Sequence, residues 1–168
     1  MYYTECQTPL VGTLTLASDG TSICGCWFDT GRRFGYGADG AMERRDDLAV
    51  LEQAKDWLGR YFSGMQPAPR ELPLAPRGTE FQKLVRSALL DIPYGTTVPY
   101  SAQARAIEVK TGRRQSPRAV GGAVGRNIYA VIVACHRVIG SDGSLTGFSG
   151  GIDRKAALLE FERATKSL

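Results

Sequence analysis

Over residues 1 to about 40, apolar and polar positions alternate. The stretch "GTLTLASDGTSICGCWFD" reads as two strands around an Asp19-Gly20 turn, which predicts a hairpin. From about Arg44 to Phe62 the period lengthens. Leu48, Leu51, Leu58, Tyr61 and Phe62 recur at helical spacing, and Gly64 stops the helix. "MQPAPRELPLAPRG" then carries four prolines and no period, so it reads as an extended linker between lobes. A second run of helices follows. Thr79 and Gln82 fit a capping box before the apolar face Phe81, Leu84, Val85, Ala88 and Leu89, and "IPYG" ends that helix. A short helix is expected at Ser101–Ile107. Another begins at Ser116-Pro117, and a last one runs from Asp153, read as its N-cap, to Ala164.

The resulting expectation is an α/β (α+β) chain. Residues 1–75 form a small lobe with an antiparallel sheet, a helix and the Pro-rich linker. Residues 76–168 form a mostly helical lobe with a helix-turn-helix outline. The helix after Ser116, "PRAVGGAVG", breaks a local rule, since interior glycines cost about 1 kcal/mol each relative to alanine. Two readings account for its small residues: tight helix–helix packing, or close approach of a nucleic-acid backbone. The neighbouring charge favours the second. Arg105, Lys110, Arg113, Arg114 and Arg118, with Arg126 beyond, stand against one acid, Glu108, although such a run is often only a solvated face.

The 168-residue chain carries a net charge of +4, and 43% of its residues are hydrophobic, enough for a core. It has no apolar run near the roughly 18 residues that span a bilayer, nor a leader-like N-terminus, so a cytoplasmic location and reduced thiols are expected. Cys6, Cys24 and Cys26 offer three soft ligands without a fourth. Small buried hydrophobes is the plainer reading of them, and no metal site is assigned.

The remaining cysteine carries the chemistry. "AVIVACHRVIG" reads as a buried strand ending in Cys135 and His136, the only histidine. A thiol needs a base or cation nearby to ionise at neutral pH, and a Cys-His dipeptide alone is weak evidence of one. Downstream, "GSDGSLTGFSGG" is too polar and glycine-rich for core, and could close over a ligand with backbone N–H groups. Glu162 shares a helical face with Leu158, Phe161 and Thr165. It reads either as a solvated helix end or as a buried carboxylate orienting His136.

"ACHRVIGSDGSLTGFSGGIDRKAALLEFE", "RAVGGAV" followed by Asn127, and "IPYGTTVPYSAQA" together resemble the O6-alkylguanine-DNA alkyltransferases over about residues 79–162. The resemblance implies a winged helix-turn-helix protein that acts as a monomer on duplex DNA, with no cofactor, membrane or obligate protein partner. Ala119, Gly121 and Gly122 would enter the minor groove. Arg118 would intercalate, with Ser101 and Ser141 as further DNA contacts. Tyr100 would help flip the base and donate to guanine N3. Cys135 would take the alkyl group from O6-alkylguanine, or from O4-alkylthymine, once per molecule. His136, Glu162 and a bridging water would draw off its proton, with Asn127 bracing the turn. The carbonyls of Cys135 and Val138 would hold the guanine amine. Phe148 would form a pocket wall, and the N–H near Ser149 and Gly150 would face O6.

The chain departs from the family's usual pattern at Ala134 (commonly Pro), Phe148 (commonly Tyr) and Ile128 (commonly Pro), and in a longer basic turn before Ser116. Two other readings stand beside this one. A lesion binder without chemistry is disfavoured by the presence of Cys135. A Cys-His hydrolase leaves the glycine helix unexplained.

Overall fold

The computed structural model describes residues 1–168. Strands β1 (Tyr2–Thr8), β2 (Gly12–Ser18) and β3 (Ile23–Phe28) form an antiparallel meander around the Asp19-Gly20 turn. A two-residue strand, β4 (Glu43–Arg44), joins β1 in parallel, so the sheet is mixed, in the order β3-β2-β1-β4. The first helix therefore starts later than its periodicity suggests: α1 spans Ala49–Phe62, with Leu48 as its N-cap. Its stripe of Leu51, Ala54, Trp57, Leu58 and Tyr61 is buried.

The linker is not a free tether. Its backbone lies along the outer edge of β3, with Ile23 N donating to Pro73 O and Ala75 N to Ile23 O. Trp57 Nε1 holds its start by donating to Ala68 O at 2.9 Å. Farther along the same edge, Cys26 N donates to Ile128 O and Ala130 N to Cys26 O. The sheet edge thus takes in both the linker and the segment that leads to Cys135. It is satisfied by the second lobe rather than left open, and one core of buried side chains runs through both lobes.

Beyond the linker come α2 (Glu80–Leu89), α3 (Tyr100–Thr111), α4 (Pro117–Val124) and α5 (Ile152–Thr165). The Thr79/Gln82 capping box is formed, and Ser116 caps α4. α3 runs four residues past its expected end and stops at Gly112 (φ 66). α5 starts at Ile152 with Gly151 (φ 90) as N-cap, which places Asp153 in its first turn instead of at the cap. Strands β5 (Val98–Pro99) and β6 (Val138–Ile139) pair in parallel and tie the α3 start to the segment after Cys135. No helix is long and apolar enough to cross a membrane.

Candidate active site

The stretch expected to be a strand, Val131–Ala134, is a buried turn. Val131 has φ 66, which a β-branched residue adopts only when its surroundings impose it. Asn127 does much of the imposing. Its Nδ2 donates to Tyr129 O (3.1 Å) and Val133 O (3.2 Å), and its Oδ1 accepts from Tyr129 N (3.2 Å). The same Nδ2 lies 3.1 Å from Cys135 Sγ. One amide therefore both shapes the turn and places the sulfur. Asn127→Ala removes these bonds and leaves their partners unsatisfied, at a cost of about 1–3 kcal/mol. The thermal midpoint should fall by several degrees, at about 2–4 °C per kcal/mol in a chain of this size, and a midpoint equal to wild type would refute the bracing role.

Ala134 sits at φ −73, within the range proline fixes, and its N–H makes no hydrogen bond. The added donor that alanine brings here is thus unused. Ala134→Pro should raise stability by about 0.4–1 kcal/mol through the unfolded chain, read as a higher thermal midpoint; a fall would show that the turn rejects the ring.

A single 3-10 turn, Cys135–Arg137, carries the nucleophile candidate and its neighbours. Cys135 is 5% exposed. Burial pushes its thiol up, while the Asn127 amide, the Lys155 ammonium and nearby backbone N–H groups pull it down. His136 and Glu162 are both fully buried, 2.7 Å apart (Nε2 to Oε1). The solvated reading of Glu162 is therefore overturned. A carboxylate only accepts, so Nε2 carries the hydrogen and Nδ1 presents a lone pair; Nδ1 is buried and has no partner. Burial pulls the imidazole below its ordinary range, with the Glu162 carboxylate opposing, which favours the neutral ring with its Nδ1 lone pair free.

Glu162 gathers more than the histidine. Tyr61 Oη donates to Oε1 from the first lobe (2.7 Å). Arg137 forks onto both oxygens (2.8 and 2.9 Å), and Gly95 N donates to Oε2 (3.0 Å). Although burial opposes it, His136 and Arg137 hold the carboxyl well below the usual carboxylate range. Sequence reasoning missed Arg137 and Tyr61, and also Lys155. That lysine is fully buried in α5, with Nζ donating to Val138 O (2.5 Å) and Thr146 O (3.3 Å) between the rings of Tyr100 and Phe148.

The other predicted residues fall into two groups. Near Lys155, Phe148 packs edge-on to Phe28 at 5.7 Å, and Gly150 is required, since a Cβ there would meet the Phe28 ring at 2.4 Å. Tyr100 Oη donates to Thr146 O (2.9 Å), and Val138 N to Cys135 O. The Cys135 and Val138 carbonyls thus each already accept one bond and keep a second lone pair. A groove of about 950 Å³ opens along Gly147–Arg154 and Thr30–Arg33; Phe148, Ser149 and Gly150 line it, and Cys135 does not.

The second group lies on α4. Val120, Ala123 and Val124 are buried, whereas Arg118, Ala119 and Gly122 are exposed and Gly121 faces Tyr100. The helix packs through its larger apolar residues, so packing does not explain Gly122. Ser101 and Ser141 are also exposed. Cys6, Cys24 and Cys26 form no metal-binding cluster; Cys24 and Cys26 are fully buried within the sheet.

These parts define a helix-turn-helix protein whose second helix exposes small residues and whose core holds a thiol and, one residue on, an imidazole–carboxylate pair. Residues 80–164 match the DNA binding domain of the 6-O-methylguanine DNA methyltransferases, and residues 1–76 match their ribonuclease-like domain. The chain belongs to this family. Among its relatives, the methylated-DNA–protein-cysteine methyltransferase of Haemophilus influenzae is 37% identical over 97% of this chain and 87% of its own. That of Methanosarcina barkeri is 40% identical over 96% and 97%. The crystal structure of Mycobacterium tuberculosis OGT in complex with DNA superposes with a TM-score of 0.85 at 38% identity, covering 98% of this chain and 94% of that one.

Proposed function

We propose that the protein repairs DNA by direct reversal, moving the alkyl group of O6-alkylguanine in duplex DNA onto Cys135. The observation that carries this reading is the buried Cys135–Asn127 and His136–Glu162 arrangement following a helix that exposes Arg118 and the small residues Ala119 and Gly122. The target atom is inaccessible inside the base stack, so the nucleotide must leave it. α4 enters the minor groove, with Ala119, Gly121 and Gly122 allowing close approach and Arg118 filling the place of the flipped base. Ser101 and Ser141 contact the backbone. Tyr100 exchanges its bond to Thr146 for the guanine N3.

In the transfer itself, the thiol proton passes through a water to His136 Nδ1, and the imidazolium is held by Glu162. Sγ forms a bond to the alkyl carbon as the carbon–O6 bond breaks, and that electron pair stays with guanine, which is reprotonated. Lys155 favours the thiolate electrostatically. The second lone pairs of the Cys135 and Val138 carbonyls take the exocyclic amine, while Phe148 walls the pocket and the Ser149–Gly150 backbone faces O6. No cofactor is required, because the substrate carbon is itself the electrophile. The thioether is not reversed, so each molecule acts once, in the reducing cytoplasm.

Intact mass spectrometry after incubation with a duplex containing O6-methylguanine tests this. One methyl gained per protein is expected. Tight binding without mass gain would instead favour a lesion binder.

A further inference from the structure

Half of the sixteen arginines of this protein are paired with an acid. Arg44, Arg45, Arg60, Arg70, Arg77, Arg154 and Arg163 are each tied to a carboxylate, and Arg137 is tied to Glu162. Eight others have no acid partner: Arg32 and Arg33 follow β3, Arg86 is half-buried over the Tyr129 ring, and Arg105, Arg113, Arg114, Arg118 and Arg126 are exposed. The last five, the largest such group, lie on α3, α4 or their flanking turns. Lys110, in the same basic run, is tied to Asp91 and drops out of the set.

Three of the five do not sit on the small-residue face of α4. Arg105 and Arg114 line a groove of about 960 Å³ with Ser101 and Ser116, formed by one face of α3 and the turn that leads into α4. Glu108 also lines it but pairs with neither arginine. The turn is held by its own bonds. Arg113 N donates to Thr111 Oγ1 (3.3 Å) and Gln115 Nε2 to Arg113 O (3.1 Å), so both guanidiniums are left free. An unpaired guanidinium fork suits a phosphate geometrically as well as by charge.

We propose that this groove is a second backbone-phosphate track, in which Arg105 and Arg114, with Arg113 on the adjoining turn, grip a DNA strand flanking the minor groove that α4 enters. The inference rests on duplex DNA being the partner. The longer basic turn then extends the footprint beyond the helix-turn-helix, adding affinity that is blind to sequence and to lesion.

The test uses unmodified duplex DNA, fluorescence anisotropy and a salt titration of the full chain. Each phosphate neutralised contributes about 0.9 to the slope of log affinity against log salt. The triple variant Arg105→Gln, Arg113→Gln, Arg114→Gln should lower that slope by about 2 to 3 and weaken binding at low salt at least tenfold, with an unchanged thermal midpoint. Arg44→Gln, Arg45→Gln on the first lobe removes positive charge elsewhere and should leave the slope near wild type. A triple variant with the wild-type slope overturns the track, even where the wild type binds and repairs methylated DNA. An equal loss in the Arg44/Arg45 variant also overturns it, since net charge would then account for the effect. If the wild type itself shows no salt-dependent duplex binding, the DNA reading fails and the track with it.

Discussion

Cys135→Ala should gain no methyl from a duplex carrying O6-methylguanine and should still bind it. The wild type should reach a plateau at one alkyl group per molecule, because the sulfur consumed is not regenerated. The loss is complete because no other thiol shares the site's machinery. Cys24 and Cys26 are sealed in the sheet, and burial holds the Cys26 thiol far above its ordinary range. Binding should survive because Arg118, Ala119 and Gly122 lie on α4 and do not depend on the sulfur. The fold should survive too: Asn127 loses one of its contacts and keeps the carbonyls of Tyr129 and Val133. The resting thiol is protonated, since burial raises its pKa and the thiolate is the nucleophile. Transfer by the wild type should therefore quicken as pH rises from neutral into the alkaline range. An adduct mapped to Cys6, Cys24 or Cys26, or transfer persisting in the alanine variant, would remove Cys135 from its role.

Glu162→Gln carries the next largest effect, and it falls on stability as well as rate. The carboxylate is fully buried and accepts from Tyr61, His136, Arg137 and Gly95. A glutamine offers one oxygen to these donors and turns an NH₂ toward the rest. Arg137 is left as a buried cation without its counter-charge, at a cost of about 3–5 kcal/mol, on the order of 10 °C in thermal midpoint. Transfer measured well below that midpoint should also slow, because the imidazolium loses its partner; an unchanged rate would take Glu162 out of the relay. The acid limb supplies a further check. The folded-state pKa of Glu162 is depressed, so its stabilisation is fully present above the unfolded value near 4.3. That stabilisation drains away as pH falls from there toward the depressed folded value. The wild-type and Gln variants should therefore converge in stability below about pH 4. A gap that stays constant with pH would mean that the loss is steric.

Much of the framework was legible in the sequence because it rests on local chemistry. The Asp19-Gly20 hairpin, the Thr79/Gln82 box and the Ser116 cap are each set within a few residues. One carboxylate on an apolar helical face raised the pairing of His136 with Glu162 as one of two readings, and the family resemblance pointed to it. The turn at Val131–Ala134 was not legible, because four apolar residues in a row carry no period and a positive φ at valine has no sequence mark. Tyr61 counted as one more apolar position of α1, and its hydroxyl found Glu162 only through tertiary packing. Lys155 and Arg137 carry no sequence mark of burial. They are buried because carbonyls, aromatic rings and Glu162 converge on them from distant segments. The two residues of β4 are too few for any pattern.

The sulfur is positioned by a side-chain amide and not by a strand ladder, and this makes mutational tolerance around it uneven. A ladder spreads the work over many interchangeable backbone bonds, so neighbouring positions would share the risk of a substitution. Here the hydrophobic positions of the turn are constrained by packing alone, because the bonds that set Sγ do not pass through their side chains, so swaps that conserve volume should be tolerated. Asn127 can be replaced by no other standard residue of its size that both donates and accepts. In a saturation library selected for survival under alkylating agents, Val131 to Val133 should therefore accept several apolar residues, while Asn127 stays as fixed as the cysteine it serves.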